Sequence, residues 1–128
     1  MENRQAGSPL SAASCQANDL TCGGRGLFLW GLPIVAVIVG SSWAIARPWL
    51  WIPAFLVMGI ACVANAARCG RAHCYFTGPL FLFAAVYVVL AEFHLVSMRP
   101  GIFLDVVLCL AGLAYLAEIP FGRYRKSA

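Results

Sequence analysis

Charge is what this sequence lacks most. Asp, Glu, Lys and Arg make up 11% of its 128 residues, whereas hydrophobic residues make up 62%. A soluble globular domain carries about 25% charged residues. A chain this short and this apolar cannot cover its own surface with polar groups, so lipid is the solvent its composition suits, as one compact domain. Histidine is nearly absent as well, with only His73 and His94. A bis-histidine haem site needs two such residues at one depth. On a single helix His94 would lie about 24 Å beyond Gly78, at the other end of the run from His73. A hydrolytic metal centre lacks its clustered His/carboxylate ligands. There is no Gly-rich phosphate loop, internal repeat or heptad pattern. The basic residues flank apolar runs, as topology signals do, and form no nucleic-acid footprint.

What is present is four apolar runs, each close to the roughly 20 residues that a helix needs to cross a bilayer. They are residues 27–46, 48–67, 78–97 and 102–119. Membrane β-strands would alternate polar and apolar over about 10 residues. These runs are continuously apolar, so the expected fold is an all-α integral membrane protein of four transmembrane helices. Trp43, Trp49 and Trp51 surround the short turn between the first two runs and read as an aromatic belt at one interface. Residues 1–26 read as a flexible cytoplasmic tail rich in Ser, Ala, Gly and Asn, and residues 120–128 as a basic cytoplasmic tail.

Orientation follows from the nine basic residues. Arg4, Arg25, Arg68, Arg71, Arg123, Arg125 and Lys126 fall on one side of a four-span chain, and Arg47 and Arg99 on the other. Seven against two places both termini in the cytoplasm of a multi-pass inner-membrane protein.

The stretch RCGRAHCYFT, residues 68–77, concentrates polar residues between the second and third runs. On the cytoplasmic side its thiols stay reduced. Arg68, Arg71 and His73 favour thiolates at Cys69 and Cys74, the metal-binding and nucleophilic form. The spacing is not a standard zinc pattern. Cys15 and Cys22 lie on the same side and lengthen the list of candidate ligands. The plainer alternative is a connector that fixes topology and carries incidental cysteines.

The apolar runs hold further soft-ligand chemistry. Met58, Cys62, Asn65 and Cys69 fall near one face of the second helix, and Asp105 and Cys109 on one face of the fourth. Faced together, they would make a descending series of carboxylate, thiol and thioether groups that suits Cu(I) or Hg(II). The plain alternative is ordinary packing by Met and Cys. Glu92 and Asp105 lie at similar depth near the SMRPG turn, where they could attract a cation or share a proton, or else pair with Arg99 at the interface. Glu118 is expected to reach the headgroups.

In size, helix count and the pair Cys69 and Cys74, the chain resembles the small bacterial mercuric-ion transport proteins. That resemblance implies passage of Hg(II) to cytoplasmic thiols, with these two cysteines as inner acceptors and a cytoplasmic metal acceptor or reductase as partner. The first run has no cysteine, unlike the adjacent Cys-Cys pair of that family. The expected function is therefore handling of a thiophilic ion without catalysis. The candidate metal ligands are Cys69, Cys74, His73, Cys62, Cys109, Asp105 and Glu92, and no resident cofactor is implied beyond a transient Hg(II) or Cu(I). The alternatives are a thiol-redox membrane protein, or a non-catalytic subunit or assembly factor of a larger complex. For a subunit, small residues such as Gly59 and Ala84 would permit close packing against other helices or a second copy.

Overall fold

The computed structural model describes residues 23–121. The tail readings, Cys15 and Cys22, and the C-terminal basic residues lie outside the described residues. Every regular element among the described residues is a helix.

The first span, α1, is built of Gly23–Gly26, a π-helical turn Leu27–Gly31 and Leu32–Ser42. It is followed by α2 (Arg47–Cys69), α3 (Ala72–Glu92), α4 (Pro100–Leu116) and a terminal turn α5 (Glu118–Phe121). Four stretches, Gly24–Ser42, Arg47–Arg68, Ala72–Glu92 and Pro100–Pro120, are long and apolar enough to cross a membrane.

Pro48 and Pro100 stand in the first turns of α2 and α4, where their missing N–H would be unpaired anyway. Gly70, in the left-handed conformation at φ 62°, ends α2. The third helix then starts at Ala72, six residues before the expected boundary at Gly78. Gly78 and Pro79 do not begin it because the helix continues through Pro79, as apolar helices tolerate when neighbours re-satisfy the freed backbone groups. His73 and Cys74 are thus helical residues, and the expected ten-residue loop shrinks to Gly70 and Arg71. At its far end α3 stops at Glu92, five residues short of Ser97. His94 takes φ 56°, a conformation His adopts more readily than bulky residues. Its N–H donates to Ala91 O (3.1 Å) and the Leu95 N–H to Leu90 O (3.0 Å), which closes a Schellman motif.

The packing core is a chain of aromatic contacts that touches all four long helices. Trp30 meets Phe81 edge-on (6.1 Å), Phe81 stacks on Phe55 (6.2 Å), and Phe55 meets Trp51 edge-on (6.1 Å). Trp51 stacks on Phe103 (6.0 Å), and Phe103 on Tyr87 (5.2 Å). Trp51 does not belong to the interfacial belt. It is fully buried, and its indole N–H donates to Val37 O at 2.9 Å. Trp43 and Trp49 are exposed, as a belt requires. Arg47 closes the same turn, donating to Gly40 O (3.3 Å) and lying over the Trp51 ring.

Helices α2 and α3 form the closest pair because glycines bring their backbones together. A Cβ on Gly78 would sit 2.8 Å from Val63 Cγ2 and 3.2 Å from the Val63 nitrogen. The exposed residues of α4 are mostly large apolar ones, including Ile102, Val106, Leu110 and Leu113.

Candidate functional site

The polar groups of the bundle converge at the end where α2 hands over to α3. Helical spacing puts Met58, Cys62 and Asn65 on the inward face of α2, and all three are buried. From α3, the first two turns contribute His73, Cys74 and Thr77, also buried. Gly78 makes the approach possible, since its Cβ position lies 3.5 Å from Cys62 Cβ.

The thiols of Cys62 and Cys74 are both 0% exposed and lie within hydrogen-bonding reach of each other. The Thr77 hydroxyl has two acceptors in range, His73 O at 3.0 Å and Cys62 Sγ at 3.4 Å. His73 Nε2 lies 3.3 Å from Cys74 Sγ. On its other edge His73 Nδ1 meets Glu118 Oε1 at 2.5 Å, and the same oxygen accepts the His73 backbone N–H at 3.2 Å.

Glu118 is therefore not a headgroup-seeking residue: it is 7% exposed and paired with a histidine 6% exposed. The reason is the antiparallel arrangement of α3 and α4. The last turn of the fourth span lies beside the first turn of the third, where unsatisfied N–H groups and the helix dipole favour an anion. The carboxylate assigns the ring tautomer: Nδ1–H donates to Glu118, so Nε2 is left as an acceptor facing Cys74. Thiol, imidazole and carboxylate stand in series. Tyr115 of α4 meets the His73 ring edge-on at 5.6 Å and fixes its tilt.

Beside this series lies a half-open cleft of about 390 Å³ bordered by α1, α3 and α4. Trp30, Phe81, Ala111 and Tyr115 supply its apolar wall, and Arg71, His73 and Thr77 its polar one. His73 contacts the Cys74 thiol and Thr77 the Cys62 thiol, so the thiol pair lies behind the polar wall of the cleft. The π-helical turn of α1 brings Trp30 to this wall. Its indole Nε1 is buried with no hydrogen-bond partner among the described residues.

Cys69 is the last residue of α2, at this same end of the bundle. The other sequence-derived candidates stand elsewhere. Cys109 and Asp105 are exposed on α4, and Glu92 is exposed at the far end of α3. The descending series is not assembled, because α4 turns Asp105 and Cys109 away from the Met58–Cys62 face. Among the described residues no ion pair joins Glu92, Asp105 or Arg99. No group of three or more His, Cys, Asp or Glu side chains among the described residues is placed to hold a metal ion. A tetrahedral zinc site is not formed by them.

Sequence reasoning missed Glu118 as a site residue and Cys62 as the partner of Cys74. The signal for the first was an acid and a histidine at the same end of neighbouring antiparallel helices. No protein-family model, curated protein or solved structure matches this chain.

Proposed function

We propose that this chain is a four-span protein of the inner membrane, with both termini cytoplasmic, that holds a soft cation between Cys62 and Cys74 on its way to cytoplasmic thiols. Hg(II) is the first choice and Cu(I) the second. The observation that carries the reading is the pair of fully buried thiols within reach of each other, each held by a polar side chain that lines a cleft. Two thiolates suit a soft ion of low coordination number and do not satisfy zinc. The predominance of basic residues at the His73 end supports delivery to the cytoplasm. Exchange between thiolates needs no nucleotide, in keeping with a chain that has no phosphate loop. The resemblance to mercuric-ion transport proteins points the same way.

The test is a competition titration of reduced, detergent-solubilised protein with Hg(II), Cu(I) and Zn(II), in the presence of a chelating thiol. Tight one-to-one binding of Hg(II) or Cu(I) that disappears in Cys62→Ser/Cys74→Ser supports the reading. Equal binding by both proteins would overturn it. A thiol-redox role uses the same pair, and would show instead as a Cys62–Cys74 disulfide formed reversibly in a defined redox buffer without any metal.

A further inference from the structure

We propose that the cleft is where the thiol pair exchanges its ion with a small, carboxylate-bearing thiol, and that the Glu118–His73 pair carries the proton between Cys74 and that thiol. This rests on the reading of Cys62 and Cys74 as ion-holding thiols and names the chemical class of their exchange partner at the His73 end.

Size comes first. A cleft of about 390 Å³ is far larger than a bare ion uses, and lies within the range of small-molecule sites, roughly 300–1,000 Å³. Its chemistry comes second. Trp30, Phe81 and Tyr115 offer packing surface to an aliphatic body. Arg71 lines the same space, and a guanidinium suits a carboxylate. Trp30 Nε1 is a buried donor without an acceptor among the described residues, an unfavourable state that an incoming acceptor relieves. A carboxylate-bearing ligand offers Trp30 Nε1 an acceptor and places its charge beside Arg71.

The proton path comes third. In the first exchange RS–M–SR reacts with Cys74–SH to give RS–M–S–Cys74 and RSH, where M is the soft ion. One M–S bond forms and one breaks, with no change of oxidation state. The thiol proton passes to His73 Nε2, 3.3 Å away, while Nδ1–H stays on Glu118, whose charge offsets the transient imidazolium. His73 also lines the cleft, so it hands that proton to the departing thiolate. Cys62–SH then repeats the exchange: the second M–SR bond is replaced by M–S–Cys62, and its proton leaves on the second RSH.

The experiment follows loading of the full-length, reduced protein in detergent with radiolabelled Hg(II). The ion is supplied either as its bis-cysteine complex or as its bis-2-mercaptoethanol complex, which lacks a carboxylate. For the wild type, the cysteine complex should load with a rate that saturates with concentration and is faster by about tenfold, the worth of one charge-assisted hydrogen bond. S-methylcysteine should compete. Arg71→Gln should abolish the preference and Trp30→Phe reduce it. His73→Gln should slow both complexes alike, since proton transfer is common to them. Equal, non-saturating rates for the two complexes in the wild type would overturn the cleft inference, even with Cys62 and Cys74 holding the ion at equilibrium. Absence of any ion held at equilibrium would instead sink the thiol-site reading itself.

Discussion

The two ends of this helical bundle carry similar residues and use them differently. At one end a histidine, a glutamate and two cysteines are buried and in contact. At the other, Glu92 and Arg99 are exposed, as is Asp105 one turn into α4, and none is paired among the described residues. An ionisable residue in or near an apolar helix is a functional candidate by default. The contrast adds a second criterion: a candidate becomes a site only where neighbouring elements bring partners to it. Burial is costly for these groups, and the hydrogen bonds between Glu118 and His73 offset that cost.

The contrast can be broken or sharpened by substitution. The largest effect is expected at the thiols: Cys62→Ser or Cys74→Ser should weaken Hg(II) binding by about 100-fold or more, because hydroxyls are poor ligands for soft ions. Cys109→Ser should leave it unchanged in the same competition titration. Next is the paired carboxylate. Glu118→Ala leaves the His73 Nδ1–H and backbone N–H buried without their acceptor and should destabilise the bundle by about 1–3 kcal/mol. Glu92→Ala and Asp105→Ala should each stay within about 0.5 kcal/mol, as exposed substitutions do. Denaturant titration in detergent, followed by tryptophan fluorescence, compares the three directly.

Smaller effects test the frame. Gly78→Ala would force a methyl to 2.8 Å from Val63 Cγ2 and should cost about 1–3 kcal/mol, as overpacking does. It should also separate Cys62 from Thr77, and so weaken ion binding more than its loss of stability alone predicts. Trp51→Phe removes the hydrogen bond to Val37 O and should cost about 1 kcal/mol, whereas Trp49→Phe, on an exposed residue, should cost almost nothing. Both are read from the same denaturation curves.

The four helices were legible in the sequence because continuous apolar runs admit no other element. Their ends were less so. The polar word RCGRAHCYFT reads as a loop when composition alone is weighed, yet only Gly70 and Arg71 in it leave the helical conformation, and Ala72 onward has no reason to stop. The inward face of α2 was legible, since the spacing of Met58, Cys62 and Asn65 fixes one stripe. The facing stripe on α4 was not, because a helix that is apolar all round gives no clue to which side its neighbours take. The Glu118–His73 pair is 45 residues apart in sequence and depends on how α3 and α4 align. Trp51 was misassigned to the interface because three nearby tryptophans share a composition but not an orientation.

The most direct measurement is mercury-edge X-ray absorption on a variant that retains only Cys62 and Cys74, with Cys15, Cys22, Cys69 and Cys109 replaced by Ser and one equivalent of Hg(II) added. A shell of two sulfur neighbours, with binding as tight as in the wild type, is the expected result. A shell of oxygen or nitrogen alone, or loss of tight binding in this variant, would contradict the assignment of Cys62 and Cys74 as the ion-holding pair.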